Sequence, residues 1–149
     1  MDCIGQSTNK LIPNSYAFCK FSSPGNIISD EAGEPQPQVI QERIIYLQIK
    51  GTSKPAIKKI KALNYLFSHS ITPISNFPES PGINSISGKP VTMVKRKGYT
   101  LWRIDLQPMN DMKIPAHNLK NYNINGSLNG NPFNIIIKKE VMLNPDMRY

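Results

Sequence analysis

The stretch GYTLWRIDLQPMNDMKIPAHNLKNYNIN (residues 98–125) contains the single Trp of the chain, one of its two His residues and a Pro-containing loop between two strand-like runs. In the first run, Trp102, Ile104 and Leu106 alternate with residues of the opposite face. A period of two predicts a β-strand with these three side chains in the core. The opposite face begins apolar and ends with Arg103 and Asp105, as a strand does when it runs out of the core into a site.

The segments around this strand predict an antiparallel sheet. VTMVK (residues 91–95) and YTLWRIDL (residues 99–106) are expected to form a hairpin through residues 96–98, with Gly98 in a left-handed or bulged conformation. Downstream, LKNYNI (residues 119–124) and PFNIIIKKEVML (residues 132–143) have strand patterns. Asn125-Gly126 and Asn129-Gly130 both offer turns.

One helix is expected upstream of the sheet. VIQERIIYLQI (residues 39–49) favours a strand, although its two central charged residues leave a short helix open. In residues 53–70, Ser53 is a capping residue and Pro55 suits the first turn. Apolar residues then recur at helical spacing, opposite a set of lysines, at Ile57, Ile60, Leu63 and Leu66. The fold class predicted is therefore α+β: one amphipathic helix packed on a curved antiparallel sheet of hairpins.

The chain divides into two parts in this interpretation. Residues 1–38 show no helical or strand period and are predicted to be an irregular Pro/Gly-rich arm, and residues 39–149 a single basic α+β domain. Residues 70–90 contain four prolines and two glycines and are predicted to be a long loop that forms the wall of a cleft.

Charge is distributed unevenly along the chain, whose formal net charge is +8. Residues 1–53 carry four basic and five acidic groups, and residues 54–149 carry fourteen basic and five acidic groups. A basic second half favours a polyanionic partner, namely nucleic acid, an anionic membrane or an acidic protein, with a merely solubilising surface as the alternative. No run approaches the ~18 apolar residues of a spanning helix, and residues 1–20 lack the pattern of a signal peptide, so a soluble protein is expected.

The residue types exclude the common metal and cofactor motifs. The two histidines are far apart, and neither they nor Cys3 and Cys19 have the ligand spacing of a metal site. Both cysteines are expected to be reduced, and no cofactor is predicted.

Among the catalytic chemistries considered, metal-free acid/base cleavage of a phosphodiester remains possible. This chemistry needs a group that titrates near neutrality beside a cation. His117 meets the first need, Arg103 the second, and Asp105 is placed to orient either of them. Further residues are predicted to hold the substrate through charge, hydrogen bonds or stacking: Lys95, Arg96, Lys97, Asn118, Asn121 and Tyr122. The alternatives are a surface histidine, a structural Arg–Asp pair and a solvated basic turn.

GYTLWRID, followed by PAHN, a strand and an Asn-Gly turn, resembles the C-terminal toxin domains of bacterial polymorphic toxins of the Rhs and contact-dependent type. The resemblance covers about residues 88–139. It implies a barnase–EndoU–colicin–RelE-like fold, a metal-independent ribonuclease and an acidic immunity protein as partner. It implicates Arg103, Asp105, His117 and Asn118. His69 is a further candidate imidazole by position alone, because no motif includes it.

Three functions follow as hypotheses. The first is a toxin ribonuclease, delivered from the producing bacterium into the cytoplasm of a target cell, in which His117 acts on the ribose 2′-hydroxyl or the leaving oxygen. The second is a non-catalytic basic module, viral or phage-encoded, that binds nucleic acid. The third is a protein whose basic face meets an acidic protein.

Overall fold

The structure is a computed structural model that describes residues 12–22, 28–29, 35–36, 40–109 and 113–145. All regular structure in these residues is β. The strands are β1 (Asn14–Ser22), β2 (Ile28–Ser29), β3 (Pro35–Gln36), β4 (Ile40–Lys50), β5 (Ala56–Ala62), β6 (Tyr65–Pro73), β7 (Glu79–Ile83), β8 (Pro90–Met93), β9 (Tyr99–Pro108), β10 (Lys120–Leu128) and β11 (Asn131–Leu143).

Seven of these strands close into a barrel, so the predicted α+β fold is wrong. The order around the barrel is β1-β11-β10-β5-β6-β9-β4, and β4 returns to β1. Neighbouring strands are antiparallel except for β1 and β11, which pair in parallel. Two short pairs, β2 with β3 and β7 with β8, form separate two-stranded sheets. No helix occurs in the described residues, and therefore none there is long and apolar enough to cross a membrane.

The segment predicted to be the amphipathic helix is the hairpin of β5 and β6. Its turn contains Leu63, which has a positive φ of 55° and is 55% exposed. The register with β10 shifts between Asn125 and Gly126, which leaves Lys58 as an extra residue, a β-bulge. Ile57 and Ile60 therefore both pack on the core at a spacing of three. Because a spacing of three also occurs on the apolar face of a helix, the sequence pattern predicted a helix here.

The irregular arm predicted for residues 1–38 is wrong for residues 14–22, which form β1. This strand pairs with β4 along its whole length and with β11 from Ala17 to Lys20. Ala17, Phe18 and Cys19 are all buried, because one face of β1 lies toward the barrel core and the other is covered from outside. A strand buried on both faces loses the alternation that identifies it in a sequence. Most of the remaining residues of the predicted arm lie outside the described part.

The expected hairpin of residues 91–95 with residues 99–106 does not form. β8 pairs with β7, whereas β9 pairs with β4 and β6. Residues 70–90 are accordingly not one loop, since they contain the end of β6, all of β7 and the first residue of β8. The positive φ expected at Gly98 is confirmed, at 83°.

The patterns of β4, β9, β10 and β11 are confirmed as strands. Trp102, Ile104 and Leu106 lie in the core as predicted. The turn at Asn129 and Gly130, both with positive φ, joins β10 to β11. The other expected turn, at residues 125–126, lies instead within β10.

Two apolar clusters stabilise the fold. The larger fills the barrel and includes the inward side chains of all seven strands. The smaller lies outside the barrel wall, where residues of β8 and of the segment between β6 and β7 cover β1, β4, β9 and the end of β11. Its buried members are Phe18, Ile44, Tyr46, Met93, Leu101 and Leu143.

The turn at Leu63 provides a test that separates a hairpin from a helix. Replacing Leu63 with Asn should raise the free energy of unfolding by about 1 kcal/mol, because Asn tolerates the left-handed conformation that costs Leu this much. Leu63→Val should lower it, since a β-branched residue is still less suited to positive φ. Urea denaturation measures both. A loss of stability in Leu63→Asn would contradict the hairpin.

Candidate nucleic-acid interface

A buried ion pair lies at one end of the barrel. Arg43 Nη1 of β4 lies 2.6 Å from Glu140 Oε1 of β11, with side-chain exposures of 3% and 0%. The Tyr122 hydroxyl donates to Glu140 Oε2 at 2.6 Å. Burial and then Glu140 raise the pKa of Tyr122, so the phenol stays protonated. Burial alone would lower the pKa of Arg43, but Glu140 and Tyr122 outweigh it and the pKa is raised.

This ion pair also holds the loop that precedes β10. Arg43 Nη2 donates to the carbonyl oxygens of Pro115 at 3.0 Å and His117 at 3.1 Å. The backbone N–H of Leu119 donates to Glu140 Oε1 at 2.9 Å. Asn118 Nδ2 donates to the backbone carbonyl of Glu140 at 2.6 Å. Asn118, a predicted catalytic residue, thus fastens the loop to β11.

The His117 side chain is exposed on this loop. Its Nδ1 lies 2.9 Å from the backbone carbonyl of Asn118. Because a carbonyl only accepts, Nδ1 carries the proton when the ring is neutral, and Nε2 is then the basic nitrogen.

Arg103 and Asp105 lie on the outer face of β9, in a network that includes β7. Arg103 Nε and Nη2 each donate to Asp105 Oδ1 at 3.1 Å, and Nη1 donates to Glu79 Oε2 at 3.4 Å. The Tyr46 hydroxyl donates to the same Glu79 oxygen at 2.9 Å, and burial followed by this bond raises the pKa of Tyr46. Arg103 thus joins β7 to the barrel wall, with its guanidinium engaged by two carboxylates.

The predicted substrate-binding residues are not gathered around His117. Lys95, Arg96 and Lys97 precede Tyr99 at the start of β9, whereas the His117 loop is bonded to Arg43, which pairs with Leu106. Leu106 lies seven positions after Tyr99 along the strand, a distance of about 23 Å. The basic turn and the His117 loop therefore lie at opposite ends of the barrel.

The other two predicted substrate-binding residues, Tyr122 and His69, lie on the inner side of the barrel wall. Tyr122 is fully buried and cannot stack on a base from this position. His69 is half-buried in β6 opposite Leu106. The structure brings Arg103 together with Asp105, and Tyr122 with the His117 loop through Glu140, but it shows no contact between Arg103 and His117 among the described residues.

The described part of the chain contains no cluster of metal-ligand side chains, and Cys19 in it is buried. No three His, Cys, Asp or Glu side chains there come close enough to share a metal ion. Cys19 is reduced and buried, and its Sγ lies 3.9 Å from Asn118 Oδ1. Burial and then Glu140 raise the pKa of this thiol to about 12, which makes it a poor nucleophile. Cys3 lies outside the described residues.

A second basic region, which was not predicted from the sequence, lies on the outside of three adjacent strands. We call it the β5–β10–β11 face. Lys61 lies beside Asn123, which lies beside Ile136 in the next strand. One row away, Lys59, Asn125 and Asn134 are aligned in the same manner. Its members are Lys58, Lys59, Lys61, Asn123, Asn125, Asn134, Ile136 and Lys138.

The bulge in β5 shapes this face. It turns Lys58 and Lys59 outward in succession, where a regular strand would expose only one of them. Gly126 lies opposite the bulge, and a Cβ there would collide with the backbone carbonyl of Ala56. Only glycine allows the two strands this close approach.

Among the residues that the structure describes, no carboxylate lies on the β5–β10–β11 face. β5, β6 and β10 contain no Asp or Glu, and the one acidic residue of β11 is Glu140, buried against Arg43. Glu79 and Asp105 are on the other side of the barrel, bound to Arg103. Lysines without neighbouring carboxylates produce a positive potential that attracts polyanions.

Comparison of the chain with protein-family models, curated proteins and solved structures finds no match.

Removing one member of the buried ion pair should be far more costly than breaking the exposed one. Arg43→Met leaves Glu140 charged, buried and unpaired, and should lower the free energy of unfolding by about 3–5 kcal/mol. Asp105→Asn, in the half-exposed pair with Arg103, should cost less than about 1 kcal/mol. Chemical denaturation compares the two.

The double variant Arg43→Met/Glu140→Leu supplies the control. With both charges removed, it should recover much of the stability lost in Arg43→Met, because no unpaired charge remains in the core. Equal losses in Arg43→Met and Asp105→Asn would show that the Arg43–Glu140 pair is not buried as described.

Proposed function

We propose that this chain is a basic nucleic-acid-binding module that contacts the phosphate backbone with the β5–β10–β11 face. The observation that supports this best is a set of outward lysines on adjacent strands with asparagines between them and, in the described part of the chain, no carboxylate on the same surface. Lysines neutralise phosphates, and asparagine amides bond to sugars, phosphates or base edges.

The composition of the face indicates what kind of recognition it supports. It contains no aromatic residue, so stacking on unpaired bases is not its basis. Lysine is a flexible point charge that follows a phosphate chain without reading its sequence. We therefore expect binding that is strongly salt-dependent and indifferent to sequence, with RNA as the partner that the sequence hypotheses favour.

A triple substitution tests the location of the interface. Lys59→Ala/Lys61→Ala/Lys138→Ala should weaken binding to a fluorescent 20-nucleotide uridine RNA at least tenfold at low salt. Because each lost phosphate contact removes a counterion-release term of about 0.7, the slope of log K against log salt should fall by about 2. Fluorescence anisotropy over a salt series gives both values.

The matched control removes the same charge elsewhere. Lys89→Ala/Lys95→Ala/Lys97→Ala changes three exposed lysines, two of them in the basic turn that the sequence predicted to bind substrate. It should retain most of the affinity. If this variant loses as much affinity as the first, the interface is not confined to the β5–β10–β11 face. If wild type does not bind at low salt, the proposal fails and an acidic protein becomes the favoured partner.

The metal-independent ribonuclease that the resemblance implies stays a prediction. The exposed imidazole of His117, with Nε2 as its basic nitrogen, is compatible with proton transfer. The cation expected beside the phosphate, Arg103, is instead held by Asp105 and Glu79. For this reason we favour a binding function over a catalytic one.

Incubation with total RNA in the presence of a chelator separates binding from catalysis. On our proposal, wild type binds RNA and leaves it intact, and His117→Ala behaves identically on a denaturing gel. Cleavage by wild type that is lost in both His117→Ala and Arg103→Ala would contradict a purely binding role. It would restore the toxin hypothesis, with its acidic immunity protein and its delivery into the cytoplasm of a target cell.

A further inference from the structure

A groove on the outside of the barrel crosses β1. It consists of two adjoining cavities of about 300 Å³ each, and Tyr16, Phe18 and Val91 line both of them. One cavity extends past Gln48 of β4 to Arg96, and the other extends onto β11 as far as Lys139. The groove therefore runs from one neighbour of β1 to the other, at an angle to the strands.

The strand register gives the length of this groove. Gln48 is paired with Asn14 of β1, and the parallel register of Ala17 with Glu140 places Lys139 beside Tyr16. Gln48 and Lys139 are thus two strands apart and offset by two residues, which puts their Cα atoms about 12 Å from each other. An extended chain of about ten carbon atoms has this length.

The floor between the two ends is apolar. Phe18 and Met93 are buried in it, whereas Tyr16 is 38% exposed and Val94 is 62% exposed. Apolar surface that is open to water gains free energy when an apolar molecule covers it. The middle of the groove thus favours a hydrocarbon chain.

The end at Arg96 is held in place from two sides. The backbone N–H of Arg96 donates to Oε1 of the buried Gln48 at 3.1 Å, and the guanidinium lies 4.6 Å from the centroid of the Tyr99 ring. Among the described residues, no carboxylate forms an ion pair with this guanidinium. A guanidinium fixed in this manner presents a planar fork that fits a carboxylate.

The end at Lys139 carries two like charges. Lys139 is directly opposite Lys120 of β10, and both side chains are exposed. Like charges at opposite positions of antiparallel strands repel each other. The neighbouring Glu140 does not relieve this repulsion, because its carboxylate is buried against Arg43. An anion bound between the two lysines would reduce it.

We propose that this groove binds a linear small molecule that has a hydrocarbon chain and an anionic group at each end, of which a ten-carbon dicarboxylate is the simplest form. The hydrocarbon chain covers Tyr16 and Val94, and the anionic groups meet the cations at the two ends. Because the ligand lies across β1, a single molecule reaches both cations. None of the described lining residues is acidic, so none of them repels a dianion. This proposal does not rest on the nucleic-acid interface, whose residues are different.

Titration of the ¹⁵N-labelled full chain with decanedioate tests the proposal. Amide resonances of residues 14–18, 91–96 and 137–141 should shift, with saturation at submillimolar ligand. Decanoate, which has one carboxylate, should bind about fivefold more weakly, because it lacks one partly exposed ion pair. Butanedioate lacks the hydrocarbon chain and 1,10-diaminodecane reverses both charges, so neither should cause a saturable shift.

Charge substitutions assign the two ends. Arg96→Gln and Lys139→Gln should each weaken the binding of decanedioate about fivefold. Arg96→Glu/Lys139→Glu should bind 1,10-diaminodecane in preference to decanedioate. Lys54→Glu/Lys113→Glu changes the net charge equally at exposed positions outside the described lining and should behave as wild type. The spectra themselves report whether each variant is folded.

Three results would overturn the proposal. They are the absence of shifts in the groove at millimolar decanedioate, equal binding of decanedioate and 1,10-diaminodecane to wild type, and an unchanged affinity for decanedioate in Arg96→Gln/Lys139→Gln. Shifts confined to the β5–β10–β11 face would also overturn it, because they would place the dianion on the lysines of that face. RNA binding is measured separately with the fluorescent RNA alone, so either proposal can fail without the other.

Discussion

The buried ion pair of Arg43 and Glu140 is the constraint on which the rest of this barrel depends. Removing two charges from water costs several kcal/mol for each ion, so the pair depends on the further hydrogen bonds around it, although the buried Nε of Arg43 makes none. Glu140 lies directly opposite Ala17, the residue where the parallel pairing of β1 with β11 begins. Its oxygens also bind Tyr122 of β10 and the backbone N–H of Leu119. One carboxylate therefore fixes the register of the closing strand and the position of the loop that covers this end of the barrel.

The sequence predicts those parts of the fold in which local pattern and environment agree. β11 alternates because one face packs on the core and the other is largely open, and β9 alternates where the polar Arg103 and Asp105 occupy its outer face. The pattern misleads where the environment is unusual. The bulge at Lys58 gives β5 a helical spacing, and burial of both faces removes the period from β1. An arginine at an inward position of β4, in phase with Ile45 and Leu47, was the available signal of the buried pair.

The candidate site was harder to predict than the fold. The sequence prediction grouped residues that are close along the chain. In a barrel, however, residues of one strand lie at different heights between its two ends, and residues distant in sequence become neighbours when their strands pair. Lys61 and Asn123 are neighbours through the pairing of β5 with β10, and no local motif carries that information. Conversely, Arg103 and His117 fall within one short stretch of sequence, but they have different partners: Arg103 is bound to Asp105 and Glu79, whereas the carbonyl of His117 is bound to Arg43.

The parallel pairing of β1 with β11 has a consequence for how the chain reaches its native state. Residues 17–20 meet partners at residues 140–143, so the contact that closes the barrel spans most of the sequence. The chain loses conformational entropy when it closes such a long loop, and this loss precedes the hydrogen bonds of the strand pairing. Folding rates accordingly fall as the mean sequence separation of contacts rises. During synthesis, β1 has only β4 beside it until β11 has left the ribosome. Closure is therefore a late event, set by topology and independent of how stable the finished barrel is.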